Sequence, residues 1–195
     1  MFKNKVINFF LSTLLLINYE KLAFAGACWS GTLTTTHTTT EACGVNNQKS
    51  SVGNGANLTI NHNITNNQGG GTGRNGDAMD VRGGGTITIN NNATVYSRAQ
   101  FAINIETPGI TLNNGTNGII DSDGFRAIQW GGSATSGTID NLGTIGTSAT
   151  PVGINSQGSG MTLNNSQGGS NGLQFMGNLP DNYNIVINST TDYGK

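Results

Sequence analysis

The feature of this sequence that most limits its possible folds is an internal repeat with a nearly constant period. Short apolar segments that each begin with a small residue start at Ala78, Ala102, Ala127, Gly153 and Gly172, so their residue numbers rise by 24, 25, 26 and 19. Self-similarity at a fixed period of this length is typical of solenoids, propellers and arrays. We therefore expect a stack of similar units rather than a compact enzyme.

A second strand pattern keeps the same period. Each first segment is followed by a glycine or proline turn and then by a second short strand. The last apolar residues of these second strands are Ile89, Leu112, Ile139, Leu163 and Ile187, whose numbers rise by 23, 27, 24 and 24, and Ile60 precedes Ile89 by 29. Third segments follow at 93–96, 118–121 and 143–146. Because two independent registers share one period, the repeat is not an accident of composition.

Apolar and polar residues alternate within each strand, which indicates one buried and one solvated face. Strands this short cannot bury an apolar face alone, whereas coils stacked in parallel bury a continuous column of Ile, Leu and Val. The sequence therefore predicts an all-β parallel β-helix, or β-solenoid, with about 25 residues and three short strands per coil. An antiparallel sandwich is the alternative, but it does not require a second register locked to the first.

Two further sets of residues are expected to stack from coil to coil. An asparagine closes most second strands, and a ladder of these residues would satisfy its amides between coils. Its predicted members are Asn61, Asn90, Asn113, Asn141, Asn164 and Asn188. The aromatic residues Phe101, Phe125, Trp130 and Phe175 occupy strand positions, with Tyr96, Tyr183 and Tyr193 near strand ends. We expect them to stack inside the solenoid; a surface row would instead form a platform for stacking sugars.

Residues 1–25 are predicted to be a cleavable secretory signal. Lys3 and Lys5 precede an apolar run at 6–17, and the small-x-small pattern at 23–25 places cleavage after Ala25. A transmembrane anchor is the alternative, but a helix that spans a bilayer needs about 20 apolar residues, more than this run supplies. No later segment of the sequence is long and apolar enough to span, so the mature chain is not expected to cross a membrane itself.

Both cysteines, Cys28 and Cys43, lie soon after that site. In an oxidising compartment such a pair can close a small loop as an intrachain disulfide. Two free thiols, or pairing with another chain, are the alternatives. Together with His37 they are too few ligands at this spacing for a metal site. The predicted organisation is a signal at 1–25, an N-terminal segment or cap with this disulfide at 26–54, and β-helix repeats at 55–195.

Charge and glycine motifs argue against nucleic acid and against cofactors. The mature chain is slightly acidic and keeps no basic patch for phosphates. The stretch 71–76 spells G-x-G-x-x-G, but no helical period follows, as a dinucleotide site requires. The overlapping stretch 70–75 is similar to a calcium-binding nonapeptide, which works in tandem copies, and it occurs once. We expect a turn here, with no cofactor and no metal.

Paired carboxylates are the best candidates for catalysis, as in β-helical enzymes that cleave acidic polysaccharides or in glycoside hydrolases. The two possible sets are Asp121 and Asp123 with Arg126, and Asp77 and Asp80 with Arg82. Gly124 suggests that Asp123 lies in a turn, where aspartate favours the bend. No serine lies in a Gly-x-Ser-x-Gly nucleophile motif. We therefore predict no catalytic residues.

The repeat units at 90–95, 140–146 and 150–155, and the stretch at 179–195, resemble bacterial autotransporter passenger domains, which are right-handed parallel β-helices. This resemblance covers roughly residues 55–195. It implies an exported, non-enzymatic stalk or adhesin, secreted or held at the cell surface or outer membrane of a Gram-negative bacterium. Its partners would be molecules or glycans on host or neighbouring cells.

The resemblance also implies a C-terminal translocator barrel, which these residues do not include, so the chain is expected to be the N-terminal part of such a protein or to be secreted by another route. Two alternatives stay open: a secreted polysaccharide-acting β-helix enzyme, lyase or glycoside hydrolase, and a fragment without independent function.

Overall fold

A computed structural model describes residues 28–44, 50–67, 76–147, 152–165, 175–176 and 184–187, the last two ranges as backbone only. The predicted signal at 1–25 and the glycine motif at 70–75 lie outside these ranges. The described part is all-β, with nineteen strands arranged in three parallel sheets. Each of the first five coils contributes one strand to each sheet in turn, and the last four described strands belong to the first two sheets.

The first sheet contains β1 (Thr32–Leu33), β4 (Ser50–Val52), β7 (Met79–Val81), β10 (Phe101–Ile105), β13 (Arg126–Trp130), β16 (Val152–Ser156) and β18 (Phe175–Met176). The second contains β2 (Thr36–Thr38), β5 (Asn57–Ile60), β8 (Ile87–Asn91), β11 (Ile110–Asn114), β14 (Gly137–Asn141), β17 (Met161–Asn165) and β19 (Asn184–Ile187). The third contains β3 (Cys43–Gly44), β6 (Ile64–Asn66), β9 (Thr94–Ser97), β12 (Ile119–Ser122) and β15 (Thr144–Ile145).

The prediction of a parallel β-helix with three short strands and about 25 residues per coil is confirmed. Every strand pairs in parallel with its equivalent one coil away, as β11 does with β8 and β14. The described β1, β2 and β3 also pair in register with β4, β5 and β6, so residues 28–44 form a coil of the same solenoid.

The core is a set of apolar columns that run through the coils. In the second sheet Leu112 pairs with Ile89 on one side and Ile139 on the other, and Ile139 pairs with Leu163. These four side chains have no exposed surface. The threonine before each of them, such as Thr138, lies on the opposite face of the strand and is half-buried. The predicted alternation of buried and solvated positions is thus confirmed in these strands.

Both ends of the predicted apolar column are wrong by two residues. Leu58, not Ile60, pairs with Ile89, and Leu163 pairs with Ile185 rather than Ile187. Both errors have one cause: the prediction took the last apolar residue of each strand, and β5 and β19 carry isoleucine where the central coils carry asparagine. In the first sheet, Phe175 pairs with Ile154, two residues later than predicted, while 172–174 lie outside the described residues.

The predicted asparagine ladder is in fact two ladders on opposite faces. The buried one runs through the last residue of each strand, with Nδ2 of one asparagine donating to Oδ1 of the next at 2.7–2.8 Å. Its members are Asn91, Asn114, Asn141 and Asn165. The other lies one residue earlier on the half-exposed face and consists of Asn90, Asn113, Asp140 and Asn164. The prediction mixed the two because β14 carries aspartate at the outer position.

The predicted Asn61 belongs to neither ladder. It follows β5 and accepts a hydrogen bond at 3.1 Å from Asn92, and Asn188 lies outside the described residues. Isoleucine replaces asparagine at both ends of the buried ladder, since Asn91 pairs with Ile60 and Asn165 pairs with Ile187. Because Asn114 also donates to the carbonyls of Gly118 and Thr144, at 3.2 Å each, the buried ladder holds the turn into the third sheet as well as the neighbouring coil.

Trp130 and Gly137 compensate for each other in volume. Gly137 pairs with Ile110 and Met161, so it stands where neighbouring coils place a large side chain. A Cβ atom added there would lie 2.7 Å from Cη2 of Trp130, whose side chain is fully buried. The indole therefore fills the space that glycine leaves, and its Nε1 donates to the carbonyl of Ala134 at 2.9 Å. Interiors are packed closely enough that this exchange matters.

The structure joins Cys28 and Cys43 in a disulfide, with their Cα atoms 5.4 Å apart. Cys43 is the first residue of β3, so the bond ties the segment that precedes β1 to the third strand of the same coil. Trp29 packs edge-on against His37, with ring centroids 5.5 Å apart, and its Nε1 donates to the carbonyl of Ser51 at 2.7 Å. His37 thus contacts an aromatic ring within the first coil.

Mass spectrometry after alkylation is expected to show modification of Cys28 and Cys43 only when the protein has been reduced first. The two thiols are joined in the folded chain, and no other cysteine is present to exchange with them. Identical alkylation with and without reductant would contradict the disulfide. Denaturing the unreduced sample in parallel controls for thiols that are merely buried.

Candidate functional site

A corner between the third and first sheets brings aromatic and cationic side chains together. Phe101 begins β10 and pairs in register with Arg126, which begins β13, while Phe125 lies in the turn just before β13. Gln129, in the same strand as Arg126, completes the group. We call these four residues the Arg126 corner. The repeat places them together because Phe101 and Arg126 are one period apart in the sequence.

The two phenyl rings stack, with centroids 5.5 Å apart and an angle of 29° between their planes. The guanidinium carbon of Arg126 lies 3.7 Å from the centroid of Phe125 and 5.7 Å from that of Phe101. Cations over an aromatic face are attracted by the negative charge of its π system. The sequence-based expectation that Phe125 points inward is wrong: 41% of its surface is exposed, whereas Trp130 is fully buried.

Hydrogen bonds hold the turn that presents Phe125. The hydroxyl of Ser122 donates to the carbonyl of Gln100 at 2.5 Å and accepts from the amide of Phe125 at 3.3 Å. Ser97, its partner in the preceding coil, plays the same part for the amides of Ala99 and Gln100. Because these hydroxyls hold the backbone of the turn, Phe125 extends from an ordered turn.

Arg126 makes no ion pair with any residue that the structure describes. Its Nη1 donates to Oε1 of Gln129 at 3.3 Å, and its Nε is buried without an acceptor. Burial lowers the pKa of the Arg126 guanidinium from its ordinary value, because desolvation disfavours the charged form. An arginine nevertheless keeps its charge at neutral pH. The corner therefore holds a half-buried cation without a counter-charge from the described chain.

The predicted carboxylates Asp121 and Asp123 lie near the end of the third sheet and bind hydroxyl donors. Asp121, in β12, accepts from Oγ1 of Thr147 at 3.0 and 3.2 Å. Asp123, in the turn after β12, accepts from the hydroxyl of Tyr96 at 2.7 Å. The structure does not bring Arg126 onto either of them, so the first predicted catalytic set is not assembled as a unit.

Tyr96 is expected to ionise late in an alkaline titration. Burial, followed by the hydrogen bond to Asp123 and the negative charges of Asp123 and Asp121, raises the pKa of Tyr96 from 10.0 to about 12. A raised pKa means that its stabilising effect is complete below pH 10 and is lost as the pH rises through about 12. Subtracting the tyrosinate absorbance of Tyr96→Phe from that of the wild type isolates this titration.

The variant Asp123→Asn is the control for that assignment. It should lower the Tyr96 midpoint only part of the way, since burial, the largest cause, remains. A wild-type midpoint close to pH 10 would contradict the described environment of the phenol.

The second predicted set, Asp77, Asp80 and Arg82, is brought together. Nε of Arg82 donates to Asp80 at 2.6 Å, and Nδ2 of Asn104 reaches Asp77 at 3.4 Å and Asp80 at 3.3 Å. Asp77 is 0% and Asp80 1% exposed. The two carboxylates are thus closed off from solvent in the described arrangement, while a third of the Arg82 side chain (33%) is exposed.

A buried amide column in the first sheet was not predicted from the sequence. Asp80, Asn104, Gln129 and Asn155 pair in register from coil to coil, and Asn155 donates to Oε1 of Gln129 at 2.8 Å. The signal for it was present, since these residues all occupy the third position of the short segments that begin at Ala78, Ala102, Ala127 and Gly153. The Arg126 corner was likewise detectable from the spacing of Phe101 and Arg126.

Comparisons with known proteins add no relative: no family model, no curated protein and no solved structure matches this chain. Within the described ranges, none of the elements is a helix long and apolar enough to cross a membrane. In the same ranges, no three His, Cys, Asp or Glu side chains cluster closely enough to hold a metal ion.

Proposed function

We propose that this chain is an exported β-helical surface protein of a Gram-negative bacterium that acts as a stalk or adhesin and not as an enzyme. The observation that carries the proposal is the outer face of the second sheet, where small polar side chains form two columns in register. We call these the outer columns. They contain Thr36, Asn57, Thr88, Thr111, Thr138 and Thr162 in one, and Thr38, Thr59, Asn90, Asn113, Asp140 and Asn164 in the other.

The outer columns suit recognition by many weak contacts. Strands in a sheet lie about 4.7–4.9 Å apart, so hydroxyl and amide groups repeat at that spacing along the stack. Asp140 is the single charged member among the residues named, which leaves the face polar but nearly neutral. A surface of this kind favours extended contact with a long partner, such as a glycan or a protein on another cell. No cofactor is involved in this mechanism.

Export is supported by the leader pattern at 1–25 and by the disulfide between Cys28 and Cys43. Disulfides persist in the periplasm and at cell surfaces and are rare in the cytosol. The resemblance of the repeats to autotransporter passenger domains extends the proposal to the cell surface or outer membrane. A passenger domain of this type would carry its solenoid outside the cell.

Expression in a Gram-negative host tests export directly. The envelope or secreted fraction should contain a chain whose mass shows removal of residues 1–25. An intact Met1, or a chain that stays in the cytoplasm, would contradict the proposal. A variant with Leu14→Arg in the apolar run should fail to be exported, because the run must be apolar to be recognised.

Adhesion is tested with the purified protein on beads, by counting retained cells or glycan-coated particles. Multi-point recognition predicts that Thr111→Lys alone has a small effect, while the triple change at Thr88, Thr111 and Thr138 reduces retention strongly. Release of reducing ends from an acidic or neutral polysaccharide, lost in a variant with Asp121→Asn and Asp123→Asn, would instead support the polysaccharide-acting enzyme.

A further inference from the structure

The guanidinium of Arg126 has more hydrogen-bond donors than the described chain satisfies. Arginine carries five N–H donors in the plane of its guanidinium, and Arg126 uses one of them, toward Gln129. Its contact with Phe125 occupies the face of the guanidinium and not the donor edge. Because Nε is buried, the donors that an acceptor can reach are those of Nη2 and the second N–H of Nη1. Carboxylates are matched acceptors because their two oxygens take two parallel N–H donors.

The nearby acids do not neutralise this cation. Asp121 and Asp123 accept from Thr147 and Tyr96, and Arg126 makes no ion pair within the described residues. Partly desolvated charges are normally paired, because burial without a partner costs free energy. The formal net charge of the chain is −1, so a general attraction for polyanions is absent. An anion that binds here is held by local contacts.

The exposed ring of Phe125 adds a second requirement for the ligand. Phe125 is 41% exposed, and its backbone amide is held by the hydroxyl of Ser122. Aromatic faces carry negative charge and attract the weakly positive C–H groups of a sugar ring. A small inorganic anion would use Arg126 alone. Arg126 covers one face of Phe125, so a sugar ring has to contact the other face. A polyuronate carries a carboxylate and an apolar pyranose face on each of its rings, and so two neighbouring units can use both side chains.

We propose that the Arg126 corner binds two neighbouring hexuronate units of an acidic polysaccharide, with Arg126 holding the carboxylate of one unit and the face of Phe125 opposite Arg126 contacting the pyranose ring of the other. Gln129 positions the guanidinium through Nη1, and the stacked ring of Phe101 supports Phe125 from the neighbouring coil. This binding site gives the adhesive role proposed above a ligand class. The inference rests on that role only for what the binding does for the cell, because binding itself is measurable in solution, without export or cells.

Isothermal titration of the purified protein with a hexagalacturonate tests the proposal. Saturable binding that weakens with rising salt is the expected result, since the carboxylate contact is partly exposed and is screened. Two ligands serve as controls: a neutral hexaglucan, which lacks carboxylates, and a hexaglutamate peptide, which lacks pyranose rings. Both should bind at least about tenfold more weakly, the difference that one charge-assisted hydrogen bond makes. Equal binding of either control would overturn the sugar assignment.

Variants locate the site. Arg126→Gln should weaken hexagalacturonate binding at least about tenfold, and Phe125→Ala several-fold. The matched control is Arg98→Gln, which removes an exposed cation after β9, in the preceding coil, and should leave the affinity unchanged. If Arg126→Gln fails to fold by circular dichroism, Arg126→Lys keeps the charge, loses the paired donor geometry and should still weaken binding. Absence of binding, or binding that Phe125→Ala and the Arg126 variants do not change, would overturn the proposal.

The two proposals fail separately. A chain that keeps Met1 or stays in the cytoplasm contradicts export and leaves the uronate measurement unaffected. A chain that is exported and retains cells, yet binds no hexagalacturonate, contradicts the Arg126 corner and leaves the outer columns as the adhesive surface.

Discussion

Replacing Ile139 by aspartate is expected to unfold the coils on either side of it. Ile139 is fully buried and lies between Leu112 and Leu163 in the second sheet. An unpaired carboxylate at this position loses its water and gains no partner, at a cost of several kcal/mol (about 2–7 for an uncompensated polar group, more for a charge). That cost is a large part of the roughly 5–15 kcal/mol that stabilises an ordinary domain. Urea denaturation followed by circular dichroism measures the loss.

Thr138→Asp is the matched control. It introduces the same charge one residue earlier, on the half-exposed face of the same strand. The free energy of unfolding should change by about 0.5 kcal/mol, as for most surface substitutions, with a small repulsion from Asp140 included. A slip of one residue in the register would exchange the two faces. Equal losses from the two substitutions would therefore contradict the described register.

Asn114→Ala is expected to lower the free energy of unfolding by about 3 kcal/mol. The amide of Asn114 accepts from Asn91 at 2.8 Å and donates to Asn141 at 2.7 Å, inside the solenoid. Removing it takes a buried hydrogen bond from each neighbour, so that Asn141 keeps only the amide of Gly143 on this oxygen and Asn91 only the carbonyl of Ile119 on this nitrogen. A hydrogen bond left unmade in a buried site costs about 1–3 kcal/mol. The carbonyls of Gly118 and Thr144 lose a donor as well. Thermal and urea denaturation measure the change.

Asn113→Ala tests whether the loss of stability comes from the burial of the amide or from the removal of any asparagine. Asn113 precedes Asn114 in the chain and donates to Asn90 at 2.8 Å on the half-exposed face. Water can replace that bond, so the expected cost is about 0.5 kcal/mol or less. Both variants remove the same atoms from neighbouring positions. A cost for Asn113→Ala as large as that for Asn114→Ala would show that the buried ladder does not carry the stability assigned to it.

The fold was predictable because burial alternates with a period of two inside a repeat that has the length of one coil. A stacked coil repeats the same environment at each position, so Ile89, Leu112, Ile139 and Leu163 had to be alike. The limits of the column were not predictable by the same rule. Two residues after the column, the next inward position of the strand carries isoleucine in some coils and asparagine in others. That position tolerates either an apolar side chain or an amide with all its hydrogen bonds made.

The candidate site was only partly predictable. Asp121, Asp123 and Arg126 are close in sequence, yet Asp121 in β12 accepts from Thr147. The turn at 123–125 directs Asp123 to Tyr96 and places Phe125 against Arg126. Side-chain direction in a turn depends on backbone hydrogen bonds such as that of Ser122, which spacing does not reveal. The packing of Trp130 against Gly137 could not be predicted for a similar reason. The two residues lie in different sheets, and the sequence does not show that the large side chain fills the space beside the glycine.

The parallel pairing of coils has a mechanical consequence. Hydrogen bonds between strands run along the stacking axis, so force applied at the two ends loads them in tension, one coil interface after another, instead of shearing them together. Under load the solenoid should yield in steps of one coil of about 25 residues, each lengthening the tether by roughly 80–90 Å. The disulfide between Cys28 and Cys43 prevents the residues between them from extending. The increase in length when the first coil unfolds should therefore be the smallest of all the coils.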